Sequence, residues 1–412
     1  MANRSINPFL AIPANTPDDF LLLSTFIGEA VERYNITFDE WLLAIGKRSL
    51  RGHIAAMATQ AELSAPPASP PAPRPGAISS WLLVMAALVF AMVVIGGITR
   101  LTESGLSMVR WEPVSGVVPP MNEVEWQAEF DAYRATPEYQ KINQGMSLSQ
   151  FKDIYFWEYV HRLLGRFIGL AFAVPLLWFA WKRAIPRGYG WRLTGLFVLG
   201  GLQGVIGWWM VASGLVDRPE VSHIRLAVHL LLALLILGLL IWTALDLRNL
   251  DRDPASRRAG LPVSAAWALS LLGLQLMFGA YVAGLDAGYA FNSWPKMGDE
   301  WFPEGTPMLT PFLANLVDNA IVVQFVHRWL AWAVAAAVFI LAWSAWKRGL
   351  HGPAVTVTAA VMFQILLGIL TLLTGVELWI AVAHQAMAAL LLASMVATAH
   401  ALGTKQLVGS RQ

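Results

Sequence analysis

Eight long apolar runs, separated by short charged segments, determine the fold class of this chain. A run of about 18 or more apolar residues is long enough to cross a lipid bilayer as a helix. Each crossing segment must satisfy its own backbone hydrogen bonds, because the bilayer core offers no water. The predicted spans cover residues 79–99, 155–181, 193–216, 226–245, 261–285, 319–346, 352–376 and 378–403. We therefore predict an all-α polytopic protein embedded in a lipid bilayer.

The composition agrees with this class. The chain is 56% hydrophobic and 14% charged, whereas about a quarter of the residues in a soluble domain are charged. It has no cysteine, which excludes disulfides and thiolate metal sites. The net charge is only +2 and topology explains the basic residues, so we expect no nucleic acid partner.

The basic residues of the short connections predict the orientation. They all lie on one side of the eight-span arrangement: Lys182, Arg183, Arg187, Arg192, Arg248, Arg252, Arg257, Arg258, Lys347, Arg348, Lys405 and Arg411. Such residues mark the inner side. Both termini would then face inside, in the inner (cytoplasmic) membrane of a bacterium or the mitochondrial inner membrane. The long connections 112–153 and 286–318 would lie outside.

The two ends of the chain differ from the membrane part. Residues 1–64 are predicted to form a soluble helical segment, with a helix start at Thr16-Pro17-Asp18-Asp19 and a capping box at Thr37 and Glu40. Residues 65–77 form a stiff Pro/Ala linker. Residues 405–412 are predicted to be a cytoplasmic tail.

The membrane part contains an internal repeat, with halves at residues 78–250 and 251–404. Tyr159-Val160-His161-Arg162 corresponds to Phe325-Val326-His327-Arg328. The spacing of Gln203, Gly207 and Gly214 recurs later in the chain, at Gln364, Gly368 and Gly375. Each half makes four crossings, so the halves are predicted to be parallel repeats about the membrane normal. We interpret the glycines as sites of close helix packing.

Each half also places two histidines near the outer ends of its helices. They are His161 and His229 in the first half, and His327 and His384 in the second. Intramembrane ionisable residues are rare and usually functional, and imidazole is a common axial ligand of haem iron. One such histidine alone would be interpreted as a packing residue, but the repeated pairs favour one haem or metal site in each half. The remaining membrane-domain and N-terminal histidines are interpreted as solvent, interface or loop residues: His53, His223, His351 and His400.

The halves differ one helical turn before the first histidine. Glu158 stands there in the first half and Gln324 in the second. A carboxylate can move protons or stabilise a cation, whereas an amide only forms hydrogen bonds. This predicts a reactive first half and an electron-transfer or structural second half. A salt bridge from Glu158 to Arg162 is the alternative interpretation.

Arginines follow the histidines at positions suited to carboxylate binding. Arg162, Arg166 and Arg328 are candidate partners of haem propionates, since guanidinium groups pair with carboxylates in a bidentate manner. Helix-end snorkelling is the alternative, and applies equally to Arg100 and Arg225.

Several stretches together resemble the haem A synthase family. They are GGITRLTESGLSMVRWEPVSGVVPP at residues 96–120, the segment 125–166, NSWPKM at residues 292–297, and the four histidines. The resemblance covers residues 78–402 and excludes the N-terminal segment and the linker.

The resemblance implies oxidation of the C8 methyl of haem O to a formyl group by successive hydroxylation. It implies that His161 and His229 hold the substrate haem and that His327 and His384 hold a permanent haem b. Glu158 matches the catalytic carboxylate of the family. An apolar pocket open to lipid would accept the isoprenoid tail. An unidentified electron donor, haem O synthase and cytochrome oxidase assembly proteins are the implied partners.

Two other functions remain open from the residues alone. One is a b-type membrane cytochrome that passes electrons from quinol; the common two-haem pattern places two histidines on each of two helices, whereas here four helices carry one each. The other is a haem carrier or assembly chaperone, which would not need the difference between Glu158 and Gln324.

Overall fold

A computed structural model describes residues 73–111, 115–216 and 219–409. These residues form eleven α-helices and no β-strand. Eight of the described helices are long and apolar enough to cross a membrane, which confirms the prediction of a polytopic helical protein. The predicted N-terminal segment and most of the linker lie outside the described residues.

The eight long helices follow the predicted spans closely. They are α1 (Pro75–Leu101), α4 (Leu148–Trp181), α5 (Gly190–Val211), α6 (His223–Arg252), α7 (Val263–Gly284), α9 (Ala320–Lys347), α10 (His351–Leu373) and α11 (Leu378–Gly409). Three short helices lie in the connections: α2 (Glu123–Arg134), α3 (Pro137–Lys141) and α8 (Asn315–Asp318). Helix α1 begins inside the last residues of the predicted linker, because Pro75 is well suited to the first turn of a helix.

Helix α4 begins seven residues before the predicted span. Its 34 residues extend about 51 Å, well beyond a bilayer core of about 30 Å. Ser147 and Gln150 form a capping box at its start. Its first turns then pack against α2 through a cluster that includes Phe130, Phe151 and Tyr155. The predicted start lies too late in the chain because the apolar run begins at residue 155, whereas the helix itself begins at Leu148.

The long helices form two apolar cores. One is built mainly from α1, α4, α5 and α6, and the other mainly from α7, α9, α10 and α11. Helices α1 and α6 of the first group pack against α7 and α11 of the second. Most residues of each core come from one side of the predicted boundary at residue 250, while the two halves and their parallel repeat symmetry stay a prediction.

Polar contacts join the two groups of helices near the end of α1. Arg100 Nη2 lies 3.0 Å from both carboxylate oxygens of Asp286. Gln385 Nε2 on α11 donates to the carbonyl of Val93 at 2.7 Å. Arg100 is therefore part of an ion pair between the halves, and not only a snorkelling residue.

A second connection lies at the opposite end of the bundle, around the buried carboxylate of Asp246 on α6. One of its oxygens accepts from Arg192 at 2.7 Å, and the other accepts from the Ala259 N–H at 2.9 Å. His400 Nε2 on α11 lies 3.0 Å from this second oxygen. His400 was expected to be a solvent or interface residue; it is only 3% exposed, because Asp246 provides a partner inside the bundle.

Candidate functional site

The four repeated histidines lie on four different helices, with His161 on α4, His229 on α6, His327 on α9 and His384 on α11. Each is half-buried. Helices α9 and α11, which carry the second pair, pack against each other, and helices α4 and α6, which carry the first pair, both pack against α1. The two members of each predicted pair therefore lie in the same group of helices.

Each of these imidazole rings packs against a glycine of the preceding long helix. A Cβ atom placed on the glycine would lie 3.1 Å from the ring Cε1 for Gly96 and His161, 2.9 Å for Gly207 and His229, 3.0 Å for Gly279 and His327, and 2.8 Å for Gly368 and His384. Any larger residue would therefore push the ring aside. Gly207 and Gly368 were predicted to allow close helix packing, and they do. The sequence did not show that the histidines are the residues packed against them.

Three of the four rings also have a glutamine neighbour, four residues before the glycine. Its Nε2 lies 3.2 Å from Nδ1 for Gln203 and His229, 3.1 Å for Gln275 and His327, and 3.2 Å for Gln364 and His384. Sequence reasoning noted the matched spacing of Gln203 and Gln364 but assigned them no role, and it missed Gln275. The recurrence of Gln-x-x-x-Gly on three helices is the signal that could have found all three.

This arrangement fits haem better than a bare metal ion. Within the described residues, no three histidine or carboxylate side chains converge as a metal cage would require. A haem brings four nitrogen ligands of its own, so it would need no more from the protein than a histidine pair can provide. A ligating histidine is normally held in orientation by a neighbour at its other ring nitrogen. At two of the three sites the glutamine Nε2 also donates to the backbone carbonyl of the same histidine, at 3.0 Å for Gln203 and His229 and for Gln275 and His327, so the glutamine holds both the ring and its backbone.

Glu158 is fixed in position by several donors and is only 3% exposed. Its Oε2 accepts from the Ser107 hydroxyl and from the Met108 N–H, both at 2.7 Å. Its Oε1 accepts from the Arg162 guanidinium. The ion pair that the sequence offered as an alternative is therefore present, together with two further hydrogen bonds to the segment that follows α1.

Arg162 and Arg328 hold equivalent carbonyl groups in the two halves. Arg162 donates to Met108 O at 2.8 Å and to Arg110 O at 3.0 Å, and Arg328 donates to Phe291 O at 2.6 Å and to Ser293 O at 2.9 Å. Each arginine thus ties the segment outside the preceding helix to the helix that carries a histidine. Arg166 lies one turn beyond Arg162 on α4 and is half-buried.

The second half lacks the carboxylate and its hydroxyl donor. Gln324 Nε2 donates to the carbonyl of Phe291 at 3.0 Å. Ala290 stands at the position that corresponds to Ser107. The first half therefore presents a hydrogen-bond-accepting carboxylate where the second presents a donating amide.

Two residues at the start of α6 flank the site, and one of them differs from its prediction. His223 was expected in a loop, but it is the first residue of α6, is buried, and lies 3.3 Å from an Asp318 oxygen. Arg225 is at a helix end, as expected for snorkelling, and donates to the Trp209 carbonyl at 2.7 Å.

A further carboxyl group lies in the connection between α1 and α4 and was missed by sequence reasoning. Glu138 on α3 is only 4% exposed. Burial raises the pKa of its carboxyl to about 8, and the negative charges of Glu158 and Glu103 act in the same direction. No sequence pattern marks it, because its burial depends on the packing of α2 and α3.

The fold and the site define a polytopic helical membrane protein with two histidine pairs suited to haem. Residues 79–396 match the family model COX15-CtaA, described as cytochrome oxidase assembly protein, and the chain belongs to this family. A protein of Rhizorhabdus wittichii named "Heme A synthase" is 59% identical over 332 residues, covering 81% of this chain and 96% of the relative. Proteins of the same name from Sphingopyxis alaskensis (50% identical over 350 residues, 85% and 99% covered) and Rhodospirillum centenum (50% over 349 residues, 82% and 93%) are also similar. The resemblance inferred from the sequence is thereby confirmed.

Proposed function

We propose that this chain is a haem A synthase, which oxidises the C8 methyl of haem O to a formyl group by successive hydroxylation and loss of water. The observation that carries the proposal is the buried Glu158 carboxylate, one turn from His161, where the second half has Gln324. The names of the similar proteins support the same reaction.

The two histidine pairs receive different roles in this proposal. His161 and His229 hold the substrate haem O in the half that contains the carboxylate. His327 and His384 hold haem b, which supplies electron transfer when bound. The glycine behind each ring and the glutamine behind three of them support ligation, because they fix the ring position.

Glu158 is the proposed catalytic residue. A carboxylate can accept a proton released from the reacting methyl or stabilise developing positive charge, and an amide at the same place can do neither. Ser107, Met108 and Arg162 keep it in one position. Such fixed positioning is what an acid–base group needs to act on a bound substrate.

The remaining roles concern the ends of the substrate. We assign Arg162, Arg166 and Arg328 as propionate partners, since each lies one to five residues beyond a ligating histidine. Helices α4 and α5 bury the smallest share of their side chains among the eight spans. Their exposed apolar side chains, such as Phe167, Leu170 and Leu202, would accept the isoprenoid tail from the lipid side.

We also propose the inner membrane as the location, with both termini inside, because the basic connections lie on one side of the bundle. Haem O synthase and cytochrome oxidase assembly proteins would supply the substrate and receive the product. Dioxygen would be the oxidant: each hydroxylation would insert one of its oxygen atoms into a C–H bond, and an unidentified donor would supply the two electrons that, with two protons, reduce the other oxygen atom to water.

Haem analysis tests the proposal directly. The full chain is expressed in bacterial cells that make haem O but no haem A, and the extracted haems are identified by mass. Haem A or its hydroxylated precursor is expected, and His161→Ala at equal protein level should abolish both. Haem O bound without change would favour a carrier, and haem b reduced by quinol without haem A would favour an electron-transfer cytochrome; either result would overturn the proposal.

A further inference from the structure

One of the four histidines lacks the glutamine that accompanies the others. The His161 Nδ1 atom is buried and has no hydrogen-bond partner among the described residues. Met92 occupies the position on α1, four residues before Gly96, where the other three helices carry glutamine. His161 therefore differs from the other three in its surroundings.

Met92 and Gly96 both pack against α4 near His161. The Met92 methyl group lies against α4, where a Cβ atom placed on Gly165 would come within 3.3 Å of it. The contact between Gly96 and the His161 ring is as close as in the other three sites. The ring is thus confined by packing, but a thioether, at best a weak acceptor, replaces the amide.

Hydrogen bonding to the second imidazole nitrogen has known consequences for a metal ligand. It fixes the ring orientation, and losing it typically lowers metal affinity about 10- to 100-fold. Of the four histidines, His161 is therefore the one held least firmly. It lies in the half that also contains Glu158 and Ser107.

We propose that Met92 is a positioning residue that leaves His161 as the exchangeable axial ligand, so that haem can enter and leave the first half. His229, His327 and His384, each with a glutamine neighbour, remain firmly held. The inference rests on the proposed function in one respect, that the first-half haem is the substrate and must be replaced after each reaction. A permanent haem needs no such ligand.

The test compares the wild type with four variants of the full-length purified protein, each loaded with haem b as the probe. Met92→Gln supplies the missing partner, Met92→Leu is the matched apolar control, and Gln275→Met removes the partner of His327. The rate of haem transfer to excess apomyoglobin is measured, and carbon monoxide binding to the reduced protein is followed by its spectrum. His161→Ala identifies the phase that belongs to the first half.

We expect the wild type and Met92→Leu to release haem in two phases, the faster one from the first half. Met92→Gln should slow the faster phase about 10- to 100-fold and reduce carbon monoxide binding. Gln275→Met should accelerate release from the second half. Equal release rates and carbon monoxide spectra for Met92→Gln and Met92→Leu would overturn the inference. If Met92→Gln does not accumulate, the test rests on Gln275→Met. An unchanged rate of haem release from its second half would then overturn the inference.

These readouts do not require methyl oxidation, so the inference and the proposed function can fail separately. Release that depends on Met92 in a protein that forms no haem A would refute the function alone. Haem A formation with release indifferent to Met92 and Gln275 would refute the inference alone.

Discussion

The Arg162 guanidinium binds the Glu158 carboxylate one helical turn away and also donates to the Met108 carbonyl. The Met108 N–H in turn donates to Glu158, so the three residues form a closed hydrogen-bonded ring between α4 and the segment after α1. The ion pair and a catalytic role are therefore compatible, because both require a carboxylate fixed in one place. Substitutions can separate them.

Glu158→Gln should keep haem bound but lower haem A formation about 10²- to 10⁴-fold, the usual contribution of an acid–base group. The amide preserves the size of the side chain but cannot take a proton. Haem O, hydroxylated haem and haem A are measured in cells that contain equal amounts of each protein. Glu123→Gln, which changes an exposed carboxylate on α2 in the same way, is the control and should retain the activity. Normal haem A from Glu158→Gln would refute the catalytic role.

His327→Ala and His384→Ala should each lose haem b and, with it, haem A formation, because one imidazole cannot hold the haem as two do. Haem b per protein is measured from the absorption spectrum of the purified variants. His351→Ala, at an exposed position at the start of α10, should bind haem b normally. Unchanged haem b in both ligand variants would contradict the assignment of the second half.

A reporter fused after Gln412 and another inserted within residues 186–191 should both report the inner compartment, as the basic connections require. A third reporter, placed in the exposed stretch 298–301, should report the outer side. Compartment-specific activity of the reporters provides the measurement. An outer signal from either of the first two would show that the proposed orientation is wrong.

Glu138→Gln should change how stability depends on pH. The pKa of the Glu138 carboxyl is raised from 4.5 to about 8 by burial, so the folded protein keeps a proton that the unfolded chain releases above about pH 4.5. The wild type should therefore lose up to about 1.4 kcal/mol of stability per pH unit between these values. The uncharged variant should match the wild type below pH 4.5 and exceed it at pH 8.

Thermal unfolding in detergent at both pH values tests this expectation. Glu123→Gln, which removes an exposed carboxylate on α2, should not show the same pH dependence. A difference between Glu138→Gln and the wild type that is equal at both pH values would contradict a buried, protonated Glu138.

The spans and the four repeated histidines could be predicted because they are local properties of the sequence. Apolar length determines a crossing, and an ionisable residue within it is conspicuous. The early start of α4 could not be predicted in this way, since a capping box and aromatic packing extend the helix outside the apolar run. The repeat symmetry itself stays a prediction.

Contacts between residues distant in the chain were beyond the sequence argument. His400 is buried because Asp246, 154 residues away, accepts from it, and His223 is buried near Asp318. The glycine and glutamine neighbours of the histidines are likewise tertiary contacts. A spacing such as Gln-x-x-x-Gly shows that two residues share a helix face, but not which side chain lies opposite.

The ion pair of Arg100 with Asp286 and the Asp246–His400 contact join the two halves at opposite ends of the bundle. Contacts at both ends of the bundle oppose a rocking motion of one half against the other. Binding and release of haem in the first half should therefore leave the distance between the two histidine pairs unchanged. Electron tunnelling slows steeply with distance. With a fixed distance between the two histidine pairs, electrons would reach each newly bound substrate at the same tunnelling rate. This would hold even though the first half binds its haem loosely.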